Sequence, residues 1–380
     1  MKVPFGKAAV VVVVIYGAID ITCRLLIPLE KVSFRAWEAM SRYQSISLYR
    51  PSGPFMANKY YENYHTYGEL AHIGNLKQLR QYRKERLRTD SCGNRNAPDK
   101  LKQLPPDILM VGTSFTAGSG VDDDDTLPVQ LERMTGLKTY NAAGLLQPDS
   151  WIDPLISRLK MTKGLVMLEH IERWDIKEGS TKTSYICSDE QEPNIWAFIN
   201  GLLWRMRYVS PLRLLGKKVI NLFQNGTILP TPNKDEVLIG ELNNGQKTLF
   251  SSEEIESITR KRNIDASVRV LSRIASLLKE KGLDFAVLLV PNKYTIYQSL
   301  LKKSLSDEID GEYFLQLEQK LLEKNIMVVN LTNIFKQFSI KLITENKYLY
   351  WLDDTHWNPI GIKIASEELI KRLGLPKSNQ

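Results

Sequence analysis

The chain has 380 residues, 43% of them apolar and 25% charged, the make-up of an ordinary globular protein long enough to bury a sizeable core. That length suits one large domain or two small ones. Its formal net charge of +8 points to anionic surfaces, and the absence of zinc-finger, helix-turn-helix or RNP-like motifs argues against nucleic acid and for a membrane.

The N-terminus agrees with a membrane. Lys2 and Lys7 precede an apolar run from Ala8 to Ile19 that includes five consecutive valines, and apolar character resumes at Ile21 between Asp20 and Arg24. The unbroken run is shorter than the roughly 20 residues of a spanning helix, yet no clean small-x-small cleavage site follows it. Residues 1–29 are therefore expected to be an uncleaved signal anchor. The basic residues ahead of it keep the N-terminus in the cytoplasm and place the rest outside, in a single-pass topology.

Residues 30–100 read as a polar, aromatic and basic extension. Tyr60, Tyr61, Tyr64 and Tyr67 cluster with His65, and such a group either packs on the main domain, the preferred reading, or touches sugar. Gln78 to Arg88 is charged and helix-like, a solvated face. The three cysteines are Cys23, beside the anchor, and Cys92 and Cys187, in the part expected to be exported. An oxidising compartment permits those two to pair, and two buried free thiols fit equally well. No zinc-type spacing occurs, His170-x-Glu172 is too little for a metal site, and nothing calls for a cofactor.

Residues 101–375 form the main domain. Ile108 to Val111 run into Gly112-Thr113-Ser114-Phe115-Thr116, an apolar strand meeting a small-residue turn that holds a serine. The loop at the carboxyl end of such a strand is where parallel sheets place ligands. Two readings stay open here: Ser114 as an exposed nucleophile, or as the N-cap of the next helix. After the acidic run Asp122 to Asp125, a helix is expected from Leu127 to Met134 and a strand from Lys138 to Gly144. Gly164 to Glu169 makes a third strand.

Residues 176–250 look like an insertion. Ile195 to Phe223 mixes aromatic and basic residues, suited to a bilayer or to packing on the sheet, and Asn225 to Gly245 reads as loop. Apolar residues at helical spacing from Ile264 to Leu278, strands at Phe285–Val290 and Ile326–Leu331, and a closing helix from Pro359 to Leu373 complete the pattern. Strands alternating with helices predict a three-layer α/β/α, flavodoxin-like parallel sheet domain.

A nucleophilic serine needs a base, and the chain has only four histidines. One of them, His356, stands in Trp351-Leu352-Asp353-Asp354-Thr355-His356-Trp357-Asn358-Pro359. Two carboxylates just ahead of an imidazole offer the orienting acid that a serine–histidine pair requires.

These residues carry a resemblance. Gly112-Thr113-Ser114 resembles block I of the SGNH (GDSL-like) hydrolases, with Thr113 in place of the usual aspartate. Asp354-Thr355-His356-Trp357-Asn358-Pro359 resembles the acid–histidine block of their alginate O-acetyltransferase-like branch. The likeness covers residues 85 to 375, and the Gly-x-Asn-Asp block has no counterpart.

The resemblance implies an exopolysaccharide O-acetyltransferase. Ser114 would be the nucleophile, His356 the base, and Asp354 the acid, with Asp353 as the alternate. The backbone N–H groups of Ser114 and Gly144 would form the oxyanion hole. Arg173, which follows Glu169 in a Glu-x-x-x-Arg pattern, would orient the acid or contact acyl or sugar oxygens, and a structural ion pair fits it equally well. Lys293, Thr295 and Tyr297 at the end of the 285–290 strand, together with Trp357, would line the substrate cleft. Arg86 to Asn96 resembles a lead-in segment of the family, with Arg95 as a possible cleft contact. The acceptor would be a polysaccharide in the periplasm or at the cell surface, and a membrane-bound O-acyltransferase would supply the acyl group. An esterase or deacetylase, or a degenerate carbohydrate-binding protein, are the alternatives.

Overall fold

The structure, a computed structural model, describes residues 5–27, 33–41, 53–103, 105–143, 152–176, 215–216, 219, 236–306 and 312–378. Helix α1 runs from Phe5 to Leu26, with Val10 to Val14 between 55% and 70% exposed. No helix among the described residues is long and apolar enough to cross a membrane.

The extension is not the solvated helix expected of Gln78 to Arg88. After a short helix α2 (Ala36–Met40), strand β1 (Tyr60–Thr66) pairs antiparallel with β2 (Arg83–Arg88), and α3 (Glu69–Ile73) lies between them in sequence. In β2 the buried residues alternate as Arg83, Glu85 and Leu87, so the strand has the period of two that a half-buried sheet requires. Two of the three inward positions are charged. Burial of those charges is tolerated because each finds a partner: Arg83 meets carboxylates, and Glu85 accepts the Ala36 N–H at 2.9 Å.

The main domain is built on β3 (Ile108–Gly112), β4 (Thr139–Ala143), β5 (Leu165–Ile171), and two strands beyond the insertion. Short helix α4 (Ser114–Ala117) follows β3, α5 (Leu127–Thr135) precedes β4, and α6 (Ile152–Arg158) precedes β5. The 225–245 segment is not all loop. Residues Val237–Glu241 (β6) and Lys247–Ser251 (β7) form an antiparallel hairpin that turns at Asn244-Gly245, where Gly245 has φ +85°. Beyond it come α7 (Ser252–Thr259), α8 (Ile264–Glu280), β8 (Asp284–Val290), α9 (Lys293–Tyr297), α10 (Glu312–Glu323), β9 (Met327–Asn330), α11 (Thr332–Ile343) and α12 (Pro359–Leu373).

The sheet order is β4-β3-β5-β8-β9, with every pair parallel. Successive residues alternate between two cores. Ile108, Met110, Met167 and Leu288 face the side covered by α5, α11 and α12, while Leu109, Val111, Val166 and Val287 face the side covered by α6, α8 and α10. This is the three-layer arrangement expected from the unbroken apolar runs. The chain starts in the middle of the sheet at β3, moves to one edge, then returns past β3 to β5. The crevice at the carboxyl ends of β3 and β5 is the topological switch point, where open α/β sheets bind ligands.

Candidate active site

Ser114 opens α4 at that switch point. Its Oγ lies 2.7 Å from His356 Nε2, and His356 Nδ1 lies 2.7 Å from Asp354 Oδ1. With the proton on Nδ1, the imidazole donates to Asp354 and presents Nε2 as the acceptor for the serine hydroxyl. The ring is held from the side by Phe115, whose centroid is 4.8 Å away.

The two adjacent acids have different surroundings. Asp353 faces away from the histidine: it accepts the Gly68 N–H at 2.7 Å and the Gln81 N–H at 2.8 Å, and Arg83 Nη1 at 2.9 Å. Asp354 divides its oxygens. Oδ1 serves His356, and Oδ2 accepts from Arg83 Nη2 at 3.1 Å, from the Glu69 N–H at 3.2 Å and from Arg35 Nη1 at 3.5 Å. Burial opposes the charge on Asp354, but His356, Arg35 and Arg83 outweigh it and hold the carboxyl well below the usual range.

Glu69 extends this network. Its Oε2 pairs with Arg35 at 2.7 Å, and its Oε1 accepts Thr355 Oγ1 at 2.5 Å and lies 3.9 Å from His356 Nδ1. Burial works to raise the Glu69 carboxyl, and the Arg35 guanidinium brings it down. Glu69, Asp354 and His356 are close enough together to hold a metal ion. Their facing atoms are already engaged with one another and with the Arg35 guanidinium, which supplies the positive charge there.

The serine turn is fixed from β5. Glu169 accepts the Thr113 N–H at 2.6 Å, the Thr113 hydroxyl at 2.9 Å, the Thr116 N–H at 3.2 Å and the Thr116 hydroxyl at 3.0 Å. Burial pushes this carboxyl up against those hydrogen bonds. Gly112 makes the approach possible, because a Cβ there would sit 2.4 Å from Glu169 Oε2. Thr113 stands where the block I pattern has an aspartate, and a carboxylate reaches this turn from the neighbouring strand.

A cleft of about 420 Å³ opens over Ser114 and His356. Arg173 lines it, with its guanidinium 3.2 Å from Glu254 Oε1 and 5.7 Å from the Phe115 ring. Trp174, Trp37, Leu70 and Glu253 complete much of the wall, and Trp174 Nε1 donates to Glu253 at 2.9 Å.

Four residues expected in the cleft lie elsewhere. Lys293 is wholly buried and donates to the carbonyls of Leu249, Trp351, Leu352 and Asp354 at 2.7 to 3.1 Å, so it grips the acid–histidine loop from below. Burial draws it down to about 8, against the neighbouring carboxylates Glu254, Asp353 and Asp354. Thr295 donates to Glu172 at 2.7 Å, the Tyr297 hydroxyl accepts the Leu349 N–H at 2.8 Å, and Trp357 packs in the core against Phe115. Each satisfies or packs on groups of the frame behind the site instead of meeting a ligand. Arg95 is likewise internal. It donates to the carbonyls of Gly118 and Val121 and to Asp123 at 2.9 Å, bracing the turn after α4.

Gly144 lies outside the described residues, as do Cys187 and the aromatic, basic stretch from Ile195, save for isolated positions. Cys92 is disulfide-bonded, and Cys23 is free. Sequence reasoning missed Arg35, Glu69, Arg83 and Trp37, all in the extension, and the clamp formed by Glu169.

Residues 245–378 match the family described as SGNH hydrolase-like domain, acetyltransferase AlgX. The "Probable alginate O-acetylase AlgJ" of Pseudomonas fluorescens is 22% identical over 126 residues, 33% of this chain. The match spans 31% of that relative's length. Among solved structures, a G-D-S-L family protein from Desulfitobacterium hafniense shares 13% identity, with 70% of this chain and 98% of that one covered at a TM-score of 0.33. An acetylxylan esterase from Geobacillus stearothermophilus shares 11%, with 71% and 95% covered at the same score. By sequence, residues 245–378 are similar to the SGNH hydrolase-like acetyltransferases, and a third of the chain is similar to an alginate O-acetylase.

Proposed function

We propose that the chain transfers an acetyl group, through a serine acyl-enzyme, to a hydroxyl of a cell-envelope polysaccharide. The observation that carries this reading is the unbroken Ser114–His356–Asp354 relay, 2.7 Å at each step, at the floor of an open cleft. His356 Nε2 takes the serine proton as Oγ attacks the acetyl carbonyl carbon of the donor. His356 then returns that proton to the donor's leaving atom as its bond to the acetyl carbon breaks. An acceptor hydroxyl next gives its proton to His356 and attacks the acyl-enzyme, and Ser114 Oγ leaves with the proton restored.

The backbone N–H groups of Ser114 and Gly144 would receive the oxyanion. Arg173, which lines the cleft beside Glu254, would meet acyl or sugar oxygens, and the Trp37 and Trp174 rings would offer apolar faces to a sugar. The exposed valines of α1 are the observation that favours a membrane anchor. The proposal adds a cleft on the outer side of the cytoplasmic membrane and a membrane-bound O-acyltransferase as acyl source.

The test uses the purified chain with p-nitrophenyl acetate and an oligosaccharide acceptor, comparing it with Ser114→Ala by mass spectrometry of free acetate and acetylated sugar. Serine-dependent acetylation of the sugar is expected. Acetate release that ignores the acceptor would reassign the protein as an esterase.

A further inference from the structure

The extension carries a row of rings beside the cleft, one of which, Tyr67, also packs on the buried cluster of Leu70, Ala71, Val237 and Leu249. Phe34 and His72 stack at 3.9 Å with planes 7° apart. Tyr67 follows, its hydroxyl 3.2 Å from His72 Nδ1 and its ring 5.7 Å from that of Tyr82, which in turn meets His65 edge-on at 6.2 Å. The Arg80 guanidinium lies over Tyr67 at 3.9 Å. Tyr82 is 58% exposed, and His65 and His72 are also exposed. Phe34 and Tyr67 are half-buried between them. Single exposed apolar residues are ordinary, whereas a contiguous row of rings that reaches the surface is a mark of recognition surfaces.

Two features indicate the ligand. Every member but Phe34 joins a flat apolar face to a polar tip, the combination that suits a sugar, with its C–H faces and hydroxyl rim. The row is also continuous with the cleft. Helix α3 gives His72 to the row and Glu69, Leu70 and Ile73 to the cleft wall, and Phe34 adjoins Arg35 on that same wall. A cleft of about 420 Å³ is of the size that encloses a small molecule, so a polymer must run out across its edge.

We propose that Phe34, His72, Tyr67, Tyr82 and His65 form a ledge on which sugar units of the acceptor chain lie outside the cleft. This rests on the carbohydrate-acceptor reading above. The ledge would make the protein prefer long acceptors over short ones while leaving small-ester chemistry untouched.

The test separates binding from transfer. The full chain carrying Ser114→Ala is titrated by calorimetry with disaccharides and octasaccharides of xylan and of a polyuronate, with and without His65→Ala and Tyr82→Ala. Tighter binding of an octasaccharide than of its disaccharide is expected. The double substitution should weaken octasaccharide binding about tenfold, leave the disaccharide unchanged, and be partly rescued by Tyr82→Phe. Equal affinity for both lengths, no binding at all, or octasaccharide affinity unaffected by the substitutions would overturn the ledge. Ledge-dependent binding in a chain whose wild-type form transfers no acetyl group would uphold the ledge and remove the transferase reading.

Discussion

The cleft has two walls of opposite construction. The sheet wall rests on apolar strands held by a continuous backbone ladder, and its loops present Ser114 and, from the segment before α12, His356. The extension wall is built of charges: Arg35, Glu69 and Arg83 surround Asp354 from the far side. One wall fixes where the reacting atoms stand. The other fixes the charge behind them.

Asp353 and Asp354 make this division testable, since both are fully buried, both bond to Arg83, and only Asp354 reaches the imidazole. Asp354→Asn should lower kcat/KM by about 10³- to 10⁴-fold, because the histidine loses its orienting acceptor. Asp353→Asn should keep kcat within about tenfold yet destabilise the fold. It weakens a buried pair and the N–H contacts that dock the extension, a change of a few kcal/mol, on the order of 3. Equal losses of turnover in the two variants would show that the walls are not separate in function.

A smaller effect probes the sheet wall alone. Glu169→Ala removes the acceptor for both N–H groups of the serine turn, so Ser114 should drift from its line to His356. A misplacement of that kind costs about 10²-fold in kcat, with KM largely retained. Steady-state kinetics on p-nitrophenyl acetate would check it, and an unchanged kcat would show that backbone geometry suffices.

The sheet wall was legible in the sequence because burial on both faces leaves nothing but apolar residues at Ile108–Val111 and Phe285–Val290. The serine and histidine stood out for a similar reason, each being a polar residue where such a strand or loop ends. The extension was not legible. Its inward residues Arg83 and Glu85 are charged, and the carboxylate that makes Arg83 burial possible lies 270 residues away in sequence. No local pattern announces such a pairing. The same blindness placed Lys293, Thr295 and Tyr297 in the cleft: polar side chains at a strand's carboxyl end are ordinarily for ligands, and here they satisfy carbonyls, a carboxylate and an N–H of the site's own frame.

The smallest effect concerns acid. Asp354 is held below its ordinary range when folded, by His356, Arg35 and Arg83 against the burial that opposes its charge. A carboxyl of this kind adds stability that is fully present above its unfolded pKa, about 3.9, and is lost as pH falls from there toward the folded value. In that window the unfolded chain binds a proton that the native chain does not, so stability must drop. Thermal melts of wild type and Asp354→Asn across acid pH read this out directly. The wild type should melt higher at neutral pH, and the gap should narrow once pH falls below about 4. A gap that stays constant into acid would mean that the charged wall holds Asp354 in place without setting its charge.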